Sequence, residues 1–183
     1  FVPELVRAGY RVVTFDTPAH GRSPGRATSL PEISEAIHAV ARACGPVHAI
    51  IGHSFGVACA IYAVQHGLEV NRLVAISPPA SVRWLTQSFF TALDVAPRVQ
   101  EIFNKKFEAG FGADLWQRFS PEVLVRRLDV PGLVIHDQDD RDQVEPARHA
   151  PHRACPRRVD GSQHDQHEPG RELGGVRISR TEH

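Results

Sequence analysis

A glycine-flanked serine, set between an apolar run and a helical pattern, constrains this chain more than any other feature. Within residues 47–66, VHAIIGHSFGVACAIYAVQH, the segment Gly52-His53-Ser54-Phe55-Gly56 reads G-x-S-x-G. Residues 47–51 form an apolar run of strand length. Val57, Ile61 and Val64 then recur at helical spacing, with Ala58, Ala60 and Ala63 as small helix formers and Gly67 as the expected C-terminal cap. A serine at a strand-to-helix corner lies in a sharp turn that exposes its Oγ. Glycines are expected on both sides because the backbone and the helix crowd such a turn too closely for side chains. The plain alternative is a glycine-rich loop with an incidental serine, and the strand–turn–helix context disfavours it.

The same alternation continues on either side. Val2, Leu5 and Val6 predict a helix ending near Gly9, and residues 10–15 are a β-rich run closed by Asp16. Ser29-Leu30-Pro31-Glu32 has the form of a capping box. Behind it Ile33, Ile37, Val40 and Ala41 share a helix face, which Gly45-Pro46 stops. Strands are predicted at 72–76 and 132–136, with a helical insert over 82–128 between them. Continuous apolar strands alternating with helices predict an α/β domain: a mostly parallel sheet with helices on both faces. The insert holds eight of the thirteen aromatic residues, and Val99, Phe103, Phe107 and Phe111 recur every four positions as an apolar stripe. Such a stripe is core packing in the plain reading.

Charge and cysteine usage exclude several classes. Lys plus Arg equals Asp plus Glu, 21 each, so no net field favours nucleic acid or an anionic membrane surface. Cys44, Cys59 and Cys155 are odd in number and at no metal-ligand spacing, and no cofactor motif is present. Cys44 and Cys59 fall on apolar helix faces as small hydrophobes, which fits a reducing, cytoplasmic setting. No stretch is long and apolar enough to span a bilayer, and none reads as a signal peptide. Oligomeric state is left unassigned.

The ends are unusual. The chain contains no Met and opens at Phe1 in what reads as mid-helix, so an N-terminal fragment is expected. From Ala147 on, only Val159, Leu173, Val176 and Ile178 are large and apolar, whereas 12 of 37 residues are Arg or His. A segment so poor in apolar residues is expected not to supply a good final strand and helix. The expected division is therefore a core over 1–146, carrying the insert, and an atypical segment over 147–183.

Three motifs in order now carry a resemblance. Residues 16–23 read D-x-P-x-H-G-x-S after one predicted strand, Ser54 lies in G-x-S-x-G after another, and His136-Asp137-Gln138-Asp139-Asp140 reads H-D-x-x-D after a third. In this combination, over about residues 1–146, the chain resembles the α/β-hydrolase fold family. The resemblance implies a Ser–Asp–His triad in that chain order. Ser54 matches the nucleophile, and the backbone N–H of Phe55 matches one oxyanion-hole donor. Asp140 matches the triad acid, with Asp137, Asp139 and Asp142 as rivals and a solvated acidic loop as the plain alternative for each. His164, in Gly161-Ser162-Gln163-His164, is the nearest match to the family's base, with His167 as runner-up and a non-catalytic tail histidine as the alternative. His20 and His53 read as structural.

The resemblance further implies a second oxyanion donor in a His-Gly loop after an earlier strand, and no such loop precedes the first motif here. It also implies that the insert is a lid walling an apolar acyl or alcohol pocket. The expected activity is hydrolysis of a small-molecule carboxylic ester, or a related acyl substrate, through an acyl-enzyme. The contrasting expectation is an inactive remnant of the same scaffold, lacking part of the oxyanion hole and its base. The chain as written is expected to be a poor catalyst with an uncovered sheet edge.

Overall fold

The structure, a computed structural model, describes residues 1–137 together with the backbone of two later strands, 171–173 and 176–181. The order is α1 (Val2–Arg7), β1 (Val12–Asp16), α2 (Leu30–Cys44), β2 (Val47–His53), α3 (Phe55–Gln65) and β3 (Val70–Ile76). The helical insert follows as α4 (Val82–Ala92), α5 (Pro97–Phe111), α6 (Leu115–Arg118), α7 (Pro121–Leu124) and a 3₁₀ turn over Val125–Arg127. Then come β4 (Gly132–Ile135), β5 (Arg171–Leu173) and β6 (Val176–Thr181).

Local chemistry sets the helix ends. Ser29 has extended dihedrals, and its Oγ accepts the Glu32 N–H (3.5 Å) while giving its own proton to Glu32 Oε2 (2.8 Å). At the far end of α3, Gly67 has φ +95. The Leu68 N–H donates to Ala63 O (3.0 Å) and the Gly67 N–H to Val64 O (3.2 Å), the paired bonds of a Schellman stop. Buried Leu68 then returns the chain to the core.

α3 is buried nearly all round, and its run of alanines makes that possible. Ala58, Cys59 and Ala63 meet Leu30, Ile33 and Ile37 of α2, whereas Val57, Ala60 and Ile61 meet Leu73 and Ala75 of β3 and Leu124 of α7. Burial pushes the Cys59 thiol up to about 12, so it stays protonated and packs as a small hydrophobe. α2 turns a second face, Ala36, Val40 and Cys44, onto Val13 and Phe15 of β1. Helix α2 thus lies over both β1 and α3.

β2, β3 and β4 form a parallel sheet in the order β2-β3-β4. This is the predicted α/β architecture, with parallel strands flanked by helices. β1 stands apart from it. Its ladder partner is β6, antiparallel from Val12↔Thr181 to Asp16↔Arg177, and β6 in turn pairs with β5. The expectation that the last segment supplies no good strand is corrected here. Leu173, Val176 and Ile178, three of its four large apolar residues, fall within these two strands. Val176 and Ile178 alternate along β6 with Arg177 and Ser179, the two-residue period of a strand. Among the described residues Leu133, Val134 and Ile135 of β4 remain exposed.

The insert packs through an aromatic cluster. Phe107 stacks near Phe103 and meets Trp116 and Phe111, and Phe111 meets Phe119 edge-on. The predicted stripe on α5 is only half realised, since Val99 and Phe103 are exposed (54% and 41%). A spacing of four residues advances about 40° per step around a helix, so four such residues spread over about 120° and leave a single seam. Fully buried Ser120 ties the insert together: its Oγ accepts the Val82 N–H (3.0 Å) at the start of α4 and donates to Trp116 O. Ser120→Ala should therefore cost about 1–3 kcal/mol, because the Val82 N–H loses its acceptor in a dry site. Urea unfolding with an unchanged m-value is the check, and a loss below about 0.5 kcal/mol would contradict this role. No described helix is long and apolar enough to cross a membrane.

Candidate active site

Ser54 sits where β2 turns into α3, with φ 50 and ψ −127. A non-glycine residue in this region costs on the order of 1–3 kcal/mol, and it persists only where its surroundings over-determine it. Here the Ser54 N–H donates to Ile76 O (2.9 Å) on β3, and Ser54 O accepts from the Val57 N–H (3.0 Å). Gly52 allows the turn to close. A Cβ there would lie 2.9 Å from Gly56 O, Val57 Cα and Val57 N, all backbone atoms that cannot swing aside. The matching expectation for Gly56 is corrected, because a Cβ at that position meets nothing within 4 Å. The crowding comes from the start of α3 onto Gly52 alone. Gly52→Ala should thus force the helix start off β2 and destabilise the fold by about 1–3 kcal/mol, whereas Gly56→Ala should be nearly neutral. Thermal melts of the two variants side by side test the asymmetry, and equal losses would refute it.

Phe55 is the first residue of α3, so its backbone N–H has no acceptor within the helix, and the positive end of the helix dipole adds to its pull on an anion. This N–H lies directly after Ser54, which is half-buried at the turn. His53 is exposed at the end of β2.

The D-x-P-x-H-G-x-S loop spends its polar groups on itself. The Asp16 carboxylate accepts the Arg22 N–H (3.0 Å), Ser23 Oγ donates to Asp16 O (2.8 Å), and His20 Nδ1 lies 3.0 Å from Pro18 O. Gly21 has no room for a side chain, since a Cβ would fall 2.4 Å from the Asp16 carboxyl carbon. These contacts support the structural reading of His20.

Strand register brings three chain segments to one edge. His53 pairs with Ile76 and Ile76 with Ile135, so the residues following β2, β3 and β4 emerge side by side. Two strand spacings, about 10 Å in all, separate the exits of β2 and β4. Asp137, exposed, lies two residues past the end of β4. Asp139, Asp140, Asp142, His164 and His167 lie outside the described residues. Among the described residues no group of three or more His, Cys, Asp or Glu side chains is arranged to hold a metal.

A small cavity lies between the insert and the start of α3. About 80 Å³ in volume, it is bounded by Leu30 and Phe55 below and by Val82, Phe107, Phe111 and Phe119 of the insert above, with Thr28 at its side. A larger groove of about 480 Å³ lies at the opposite end of the sheet, between Gly67–Asn71 and Arg127–Val130. It adjoins the strand starts rather than Ser54 and is remote from the elbow.

Comparison with known proteins follows this geometry. A family model described as the alpha/beta hydrolase family matches residues 1–173, extending past residue 146. No curated protein matches. Among solved structures, one titled as an alpha/beta hydrolase from Sphaerobacter thermophilus is similar at 15% identity and a TM-score of 0.41, covering 66% of this chain. The aligned region spans 62% of that structure's length.

Proposed function

Because this chain belongs to the alpha/beta hydrolase family, we propose that it is a serine hydrolase acting on a carboxylic ester or related acyl substrate, with Ser54 as nucleophile. The observation carrying this reading is the strained Ser54, held at φ 50 by bonds to β3 and α3 beside the Phe55 N–H at the first position of the helix. In the proposed cycle His164 takes the Ser54 proton as Oγ attacks the acyl carbon. The Phe55 N–H holds the oxyanion, and Asp140 orients the imidazole and stabilises its charged form. Protonation by the imidazolium releases the alcohol, and water then frees the acid from the acyl-serine. Buried, free Cys44 and Cys59 fit the cytoplasmic setting we assign to this activity.

A fluorophosphonate probe tests the nucleophile directly, since phosphonylation requires an activated hydroxyl. Labelling is expected at Ser54, and it should vanish in Ser54→Ala. Absence of labelling in the folded protein would favour the inactive-scaffold reading.

A further inference from the structure

The turn joining α4 to α5 gathers exposed apolar side chains in one place. Phe89 and Leu93, four residues apart at the end of α4, are 58% and 72% exposed, and Ile102 on α5 is 47% exposed beside Val99 and Phe103. The two helices run antiparallel from residues 93–96, as the contacts Gln87–Gln100, Phe90–Phe103 and Arg83–Glu108 show. α5 spends its other side on the core, where Phe107 and Phe111 pack, and Phe103 leans only part-way in, against Phe90 and Phe107. Apolar side chains grouped at a surface and bordered by charged ones mark an interaction face.

Charge selects what fits this face. Helix positions three, four and seven apart are neighbours, so Lys106 stands among Val99, Ile102, Phe103, Ala109 and Gly110, with no carboxylate beside it. Neither Lys106 nor Arg98 makes an ion pair among the described residues. Of the carboxylates on this hairpin, Glu101 is held by Lys105 (2.6 Å) and Glu108 by Trp116 Nε1 (2.7 Å) and Arg83 (3.9 Å). That leaves Asp94 against Arg98 and Lys106. A second copy of this face would bury the Lys106 ammonium against apolar side chains with those carboxylates already engaged, a costly arrangement. At a lipid surface the lysine stem lies along the apolar stripe while its head reaches phosphate. We propose that the α4–α5 turn docks this protein on an anionic phospholipid surface, its apolar side chains at the acyl boundary and Arg98 and Lys106 on the headgroups. The chain as a whole carries no net charge, so the attraction is local to the hairpin.

Docking is independent of the hydrolase reading, and its test needs no turnover. The full chain is co-sedimented with vesicles of phosphatidylcholine alone and of phosphatidylcholine mixed with phosphatidylglycerol. The mixed vesicles should retain more protein, and about 0.5 M salt should release most of it by screening the headgroup contacts. Arg98→Gln combined with Lys106→Gln should weaken partitioning to mixed vesicles roughly twentyfold, at about fivefold for each cation near an anionic surface. Phe89→Ser combined with Leu93→Ser should weaken it by at least about tenfold through lost apolar contact with the acyl boundary. All four side chains are exposed, so thermal melts of both variants should match the wild type. Arg126→Gln combined with Arg127→Gln removes two exposed cations away from the hairpin and should leave vesicle binding unchanged. No binding to either vesicle, equal binding to both, or the same loss in the Arg126 and Arg127 variant would each overturn the proposal. So would a concentration-dependent dimer in light scattering that disappears in the Phe89 and Leu93 variant, which would give this face to a second copy of the chain.

Discussion

Replacing Ser54 with alanine should abolish ester turnover, lowering kcat by a factor on the order of 10⁴–10⁶, while the fold survives. The size follows from the role proposed for Ser54. Without Oγ there is no acyl-enzyme, and what remains is transition-state binding by the Phe55 N–H and the surrounding pocket. The turn should survive, because alanine has the same difficulty at φ 50 as serine, and the bonds from Ser54 N–H to Ile76 O and from Val57 N–H to Ser54 O are made by the backbone. Glycine at this position separates strain from chemistry. Ser54→Gly should be equally inactive yet more stable than Ser54→Ala by about 1 kcal/mol, since the positive φ then carries no steric cost. For a chain of this length that is a rise of roughly 2–4 °C in Tm. Initial rates on para-nitrophenyl esters and paired thermal melts are the measurements. More than a few per cent residual activity in Ser54→Ala would remove it as nucleophile, and a lower Tm for Ser54→Gly than for Ser54→Ala would show that the turn is not strained.

What the sequence disclosed followed the range of the interactions involved. Ser29 and Glu32, Gly45, and Gly67 with Leu68 act within a few residues of one another, and each marks a helix end close to where the chain pattern put it. The elbow is local as well: the three atoms nearest to a Cβ at Gly52 all belong to the backbone of Gly56 and Val57. Pairing across long separations was not legible. Nothing in residues 10–15 says that β1 will ladder against 176–181 rather than join β2, because both choices satisfy the same apolar alternation. The α5 stripe misled for a geometric reason, since residues four apart drift around the helix while the pattern treats them as one face.

The acid of the proposed triad should be Asp140 rather than its neighbours, and asparagine there should lower kcat by about 10⁴. The argument begins at the sheet edge. Ile135 ends β4 in register with Ile76 and His53, so the segment that follows β4 leaves the sheet beside the elbow, about two strand spacings from it. An imidazole must fit between the acid and Ser54. Asp137, only two residues past the strand, has little chain in which to turn toward it, whereas Asp140 comes three residues later in the sequence. Asparagine is close to aspartate in shape, but its amide neither holds the productive tautomer nor stabilises imidazolium, which is where the four orders of magnitude arise. Asp137→Asn and Asp139→Asn should each lose less than about tenfold, because neither carboxylate is the imidazole's partner in the proposed triad. The check is kcat measured for all three variants against one ester under identical conditions. Matching losses at the three positions would mean that the loop acts through its summed charge, and Asp140 would have no distinct place in the mechanism.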